Sequence, residues 1–289
     1  MEKKQFQLNL QNTRLKTNTE NTGEKQKKMW KLNKTAQKLN IRKPILIEGL
    51  PGIGNVGKVA VDFIIDDLNA KKIGEFESDF YPNSVFVNEK NLVELPRIEI
   101  YHKELKKKRH DLLLLSGDVQ PVEEAASYRF SESVIELLQN YNGQQIITLG
   151  GVALKEIPKK PAIYCTGNCL KTIKKYSKGM KINQNIYGAI GPIVGVSGLL
   201  LGLAKKHKIP AVTLLAETYA HPMYLGVNGA KEILRILNKK IGINVNISEL
   251  EKEIKELEEE IQKDHTLSIK KPARLKKLKR KIGEMSYIG

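Results

Sequence analysis

The sequence predicts a mixed α/β domain in which one sheet carries helices on both faces. Three observations carry that expectation. Short, wholly apolar runs recur along the chain, segments with helical apolar spacing lie between them, and no Pro/Ser-rich linker or internal repeat interrupts residues 44–242. Wholly apolar strands are what a largely parallel sheet needs when both of its faces are covered.

The elements follow in order. Residues 44–49 (PILIEG) form an apolar run ending in glycine, a buried strand. Residues 55–68 place Val56, Val59, Ala60, Phe63, Ile64 and Leu68 at helical spacing. Strand-like runs follow at 72–77, 84–87 and 97–101. Residues 111–116 contain four consecutive leucines and read as a central strand buried on both sides. A helix over 121–140 is opened by proline and acidic residues. A strand at 145–149 is expected to close at Gly150-Gly151, with another strand at 162–165. Then come a helix at 192–206, a strand at 210–216 and an amphipathic helix at 227–240. After Gly242 a capping box of Ser248 and Glu251 opens an acidic helix with one apolar stripe, Leu250, Ile254, Leu257 and Ile261. The stripe is too short for a coiled coil and packs either on its own domain or on another subunit. The expected organisation is a basic extension at 1–43, a core domain at 44–242 and a C-terminal extension at 243–289. Residues 1–40 are polar, without an apolar period, and are expected to be largely disordered. Met29 is a candidate start.

The net charge of +17 resembles a nucleic-acid or membrane signal, but its distribution argues against one. Residues 1–43 hold 12 Lys/Arg against 3 Asp/Glu, and residues 270–281 hold 8 Lys/Arg and no acid. The body between them, 44–269, has 29 basic and 28 acidic side chains. The basicity therefore sits in two extensions, and nucleic acid is not expected as a partner. Cys165 and Cys169 stand in a C-x-x-x-C spacing with no second pair, and the five histidines are scattered, so neither a metal nor a disulfide framework is expected. Few cysteines and no apolar N-terminal run point to the cytoplasm. Residues 182–204 carry no charge and contain two G-x-x-x-G spacings, yet Pro192 cuts the run. A buried, small-residue helix packed closely on the sheet is expected there, and no membrane span.

Two sets of residues could carry chemistry. Gly52, Gly54, Gly57 and Lys58 satisfy G-x-G-x-x-G and most of a phosphate-binding loop between a strand and a helix, where backbone N–H groups stabilise an anion. The Ser or Thr that would hold magnesium is replaced by Val59, which has no oxygen to offer. A structural turn is the main reading, and an anion or ligand loop is kept as a candidate. Glu48, Asp118, Glu217, Tyr219 and His221 follow predicted strands, where α/β sites form. No nucleophile is visibly paired with a base, and no catalysis is assigned to them.

The run 47–57, IEGLPGIGNVG, resembles the opening signature of the proteasome assembly chaperone family in its archaeal, PbaB-like form. Two further segments agree: 191–200, GPIVGVSGLL, continuing to Ile209-Pro210 and to 214–218, and the strand at 145–149 ending in Gly150-Gly151. The resemblance implies a three-layer α/β/α sandwich akin to nucleoside phosphorylases, without established catalysis and without a cofactor. It implies binding to the α-subunit ring of the 20S proteasome, as a homo-oligomer in which a tetramer is suspected. It also implies docking by a C-terminal motif of a hydrophobic residue, a tyrosine and any last residue, whose terminal carboxylate meets a lysine between α subunits. Here Tyr287 is third from last and Ile288 takes the tyrosine position, an offset of one. Tyr287, Ile288 and Gly289 are thus the expected partner-binding residues. The expected function is a proteasome assembly chaperone or ATP-independent activator. The alternative is an enzyme on nucleotides or nucleosides that uses the loop from Gly52 to Lys58.

Overall fold

The computed structural model describes residues 29–35, 40–106, 108–184, 186–188, 190–221 and 224–252. An eight-stranded sheet runs in the order β1-β3-β6-β7-β2-β8-β10-β9. Its centre is four parallel strands: β7 (Leu112–Gly117), β2 (Ile45–Glu48), β8 (Gln145–Leu154) and β10 (Ala211–Tyr219). The flanks are antiparallel, with β9 (Ile163–Gly167) on β10, and β6 (Ile98–Lys103), β3 (Lys71–Glu77) and β1 (Lys31–Lys34) stepping outward from β7. A separate hairpin pairs β4 (Phe86–Val87) with β5 (Val93–Glu94).

Alternation along each strand sends side chains to two cores. Ile45, Ile47, Leu112, Leu114, Val212 and Leu214 join one core with α1 (Val56–Asp67), α3 (Leu170–Ser177) and α5 (Val227–Ile241). Leu46, Leu113, Leu115 and Ile146 join the other with α2 (Glu124–Asn140) and α4 (Val196–Lys206). The four leucines of β7 thus divide evenly between the faces, which is why a run without alternation forms a central strand. The result is the three-layer α/β/α sandwich. Among the described residues no helix is long and apolar enough to cross a membrane.

Three local expectations need correction. Residues 29–34 do not belong to a disordered extension: β1 pairs antiparallel with β3, and Trp30 is 2% exposed. The Trp30 indole N–H donates to the Ala126 carbonyl at 3.0 Å, and its ring meets Phe130 and Tyr81 edge-on at 4.8 and 5.2 Å. One aromatic with a satisfied N–H anchors the segment, with Met29 and Leu32 packed beside it. Gly150-Gly151 does not close β8, because β10 continues to pair with it, Leu215 opposite Gly150 and Ala216 opposite Gly151. The small-residue helix α4 packs on the sheet as expected, through its larger residues and not its glycines: Gly202 faces open space, and a Cβ at Gly198 would strike the Ile193 carbonyl of the preceding loop. Leu200, Leu203 and Ala204 are the buried side. Finally, the last described helix opens at residue 247, so Ser248 lies in its first turn and is not its cap. Its Leu250 is buried against this chain's own core, while Ile254, Leu257, Ile261 and residues 270–281 lie outside the described residues.

Candidate functional site

β2 delivers the chain to the C-terminal edge of the parallel strands, and residues 49–55 turn it back into α1. Three glycines are required by this geometry, the first being Gly49, whose Cβ would stand 2.2 Å from the Gly57 carbonyl oxygen. A Cβ at Gly57 would stand 2.2 Å from the Leu149 carbonyl oxygen, so only glycine lets α1 approach the backbone of β8. Gly54 has φ of +59° and lies against Thr218. Gly52 is different: its φ of −159° suits any residue, and nothing lies within 4 Å of its Cβ position. The loop is tied down by its carbonyls. Gly226 N–H donates to Gly54 O at 2.7 Å, and Gln120 donates to Pro51 O at 2.7 Å while accepting from Val196 N–H at 3.2 Å.

Lys58, the cation expected beside an anion, is committed elsewhere. It is 2% exposed, and its ammonium lies 2.9 Å from Asp62, whose other oxygen accepts from Ser116 at 2.5 Å. Such a buried pair is worth little net, but removing either partner would strand a charge. On the opposite face of the sheet, Glu48 is wholly buried. It accepts from Leu50 N–H at 3.0 Å and from the Ser197 hydroxyl, in the first turn of α4, at 2.8 Å. Burial dominates and pushes its pKa up to about 7, against the lowering pull of those two hydrogen bonds.

The remaining strand-end residues share this edge but serve different neighbours. Glu217 accepts from Ala162 N–H and from the Tyr164 hydroxyl, both at 2.9 Å, which fastens β9 to β10. Asp118 accepts from Arg97 N–H at 3.0 Å, at the start of β6. Tyr219 stacks on His221 with ring centroids 5.5 Å apart and meets Tyr224 edge-on at 5.7 Å. Their contacts are scaffold contacts. Asp62, Ser116, Ser197 and Gln120, which organise the edge, were not singled out by sequence. Only the i,i+4 spacing of Lys58 and Asp62 was there to suggest one of them. Tyr287, Ile288 and Gly289 lie outside the described residues. Among the described residues no group of three His, Cys, Asp or Glu could hold a metal ion.

A surface of another kind lies on the β4–β5 hairpin. Asn88 shapes its turn by accepting from the N–H groups of Lys90 and Leu92 at 2.9 and 3.0 Å. Val85, Val87, Leu92, Val93 and Leu95 are all more than half exposed, Leu95 to 74%. An isolated two-stranded ribbon is marginal in water, and exposed apolar side chains gathered on one, with Val87 paired to Val93, are suited to an interaction surface.

Comparison with known proteins agrees with this architecture. The PAC2 family matches residues 46–264. An uncharacterized protein of Methanocaldococcus jannaschii is 30% identical over 221 residues, 76% of this chain and 82% of the relative. Among solved structures, Pyrococcus furiosus PbaB, described as an archaeal proteasome activator, is similar with a TM-score of 0.74 and 28% identity. That likeness covers 83% of this chain and all of PbaB. Pyrococcus furiosus PbaA, described as an archaeal homolog of proteasome-assembly chaperone, shares the fold with a TM-score of 0.66 at 24% identity, over 87% of this chain and 95% of its own.

Proposed function

Because this chain belongs to the PAC2 family, we propose that it is a binding protein of proteasome assembly or activation, without a catalytic role, that docks on the α ring of the 20S particle. The observation that carries the reading is the likeness to PbaB, which extends over the whole PbaB chain and 83% of this one. Two features of the molecule support it. The glycine loop, the best sequence argument for a nucleotide enzyme, has its lysine neutralised by Asp62 inside the core. The hairpin offers five exposed apolar side chains, which suits self-association or a protein partner.

In this reading the chain acts as a soluble, cytoplasmic homo-oligomer, and its docking element is the end of the chain, Tyr287, Ile288 and Gly289. An aromatic ring beside a terminal carboxylate is a compact ligand for a crevice between subunits. The basic stretch at 270–281 would speed encounter with an acidic surface. The test is co-purification with 20S particles of the full chain and of a chain ending at Ser286. Retention of the first and loss of the second, at unchanged thermal stability, is the expected result. Equal retention of both would remove the tail from the mechanism, and no retention of either would remove the proteasome.

A further inference from the structure

A cavity of about 410 Å³ opens at the N-terminal ends of β2 and β8, across the sheet from the glycine loop. Its wall is cationic and comes from four segments: Lys108 and His110 between β6 and β7, Gln144 before β8, Lys175 of α3, and Lys239 and Lys240 in the last turn of α5. Basic residues in a last helical turn complement the helix dipole, and Lys239 donates to Gly179 O at 2.8 Å while Lys240 donates to Lys178 O. That role accounts for two amines. Lys175, in the last turn of α3 and 5.5 Å from the Tyr176 ring centroid, has the same helix-end role, but that role accounts neither for Lys108 nor for the His110 Nε2, which is buried and has no hydrogen-bond partner. Among the described residues no carboxylate comes within 4 Å of these four ammonium groups. The nearby Asp111 is taken by Arg42 at 2.8 Å and His102 at 3.1 Å. The amines also face one another. Beyond desolvation, Lys239, Lys178 and Lys175 all lower the pKa of Lys240. Burial, then Lys175 and Lys108, and more weakly Arg42, lower that of His110, with Asp111 opposing.

We propose that this cavity is a binding site for a compact, multiply charged phosphate, an oligophosphate chain alone or as part of a nucleoside polyphosphate. Its volume is within the range of small-ligand sites, roughly 300–1,000 Å³. The polar, amine-rich wall selects charge number over apolar area. An anion held by Lys108 and Lys175, which line the cavity with His110, would favour the imidazolium, which adds a charge-assisted donor. Binding is therefore linked to proton uptake at His110 and weakens as pH rises. Because the lysines are largely solvated, it also weakens with salt.

The experiment is calorimetric titration of the full chain with tripolyphosphate at low salt, and separately with ATP. The expected result is saturable 1:1 binding that falls at least about tenfold in Lys175→Gln/Lys240→Gln. Lys205→Gln/Lys206→Gln, the same change at the end of α4 on the other face, should leave it intact. His110 should titrate at higher pH in the complex, read from its ring proton shifts. ATP binding more tightly than tripolyphosphate would assign a nucleotide, and equal affinity would assign the phosphate chain alone. No saturable binding, equal weakening by both double variants, or binding of single-stranded RNA without binding of tripolyphosphate would each overturn the proposal. The proteasome reading is tested by separate variants and stands or falls independently.

Discussion

At the C-terminal ends of the parallel strands the buried ionisable groups are matched: Lys58 to Asp62, Asp62 in turn to Ser116, and Glu48 to Leu50 N–H and Ser197. At the N-terminal ends Asp111 is matched by Arg42 and His102, while a group of lysines around a cavity has no acid beside it among the described residues. The contrast runs against the motif. The edge that carries the famous glycine pattern spends its groups on holding loop to helix to sheet. The edge without a motif is where charge is left over. Glycine spacing reports how closely backbones approach, and a ligand site needs uncommitted polar groups as well.

The largest effect should come from breaking the motif edge at Gly57. Helix propensity alone would favour alanine over glycine there by about 1 kcal/mol. The new methyl would instead meet a strand carbonyl at 2.2 Å, so α1 must shift off β8. Gly57→Ala should destabilise the protein by about 3 kcal/mol or more in urea unfolding. Gly52→Ala, five residues earlier in open space, should be neutral or stabilising by up to about 1 kcal/mol. If both glycines behaved alike, the loop would not be the packed scaffold described.

Next is the buried acid. Glu48 has its folded-state pKa raised from 4.5 to about 7 by burial. The folded state therefore holds the proton more tightly than the unfolded chain. Its contribution to stability is complete below pH 4.5 and is lost as pH rises through about 7. Glu48→Gln keeps an acceptor for Leu50 N–H and removes the titration. The variant should gain on the order of 2–3 kcal/mol over the parent between pH 5 and pH 8, since each tenfold difference in proton affinity between the folded and unfolded chain is worth about 1.4 kcal/mol. Parallel stability–pH curves for the two proteins would show that Glu48 does not titrate in this window. Asp111 makes the opposite case: burial pushes its pKa up, but hydrogen bonds from Arg42 and His102 outweigh that and leave it lowered.

These differences explain what could be read from sequence. The strand of four leucines, the helix after the glycine loop and the amphipathic helix at 227–240 were legible because apolar period and burial are local properties. β1 was not, because its anchor, Trp30, is buried by Tyr81, Ala126 and Phe130, about fifty to a hundred residues away. α3 was hidden by its lysines, since only Ile173 and Tyr176 give it an apolar side. The continuation of β8 through Gly150 and Gly151 depends on pairing with β10, which no single segment announces. At the C-terminal edge the glycines and Lys58 were visible, but Asp62, which pairs with that lysine, and Ser116, which donates to Asp62, meet only after folding. The lysine cavity had no linear signature at all, being assembled from the β6–β7 connection, α3 and the end of α5.

The smallest expected effect sharpens the comparison from the lysine side, in the absence of any added anion. Lys175→Gln/Lys240→Gln removes two charges from a like-charged group and so relieves repulsion. It also removes one of two cations from the last turn of α3 and one of two from that of α5, each costing at most about 0.3–1 kcal/mol when such a charge complements the dipole. Glutamine retains an N–H donor for the Lys178 carbonyl, and Lys239 remains to complement the helix. Relief of repulsion from Lys178 and Lys239 should therefore win narrowly, with a gain of a few tenths of a kcal/mol at low salt. Because these groups are solvated, the gain should vanish at about 0.5 M salt, where screening acts over only a few ångströms. Urea unfolding at the two salt concentrations measures the difference. A loss of stability of about 1 kcal/mol at both would identify these lysines as helix caps, and the two ends of the sheet would then differ in motif but not in how they use charge.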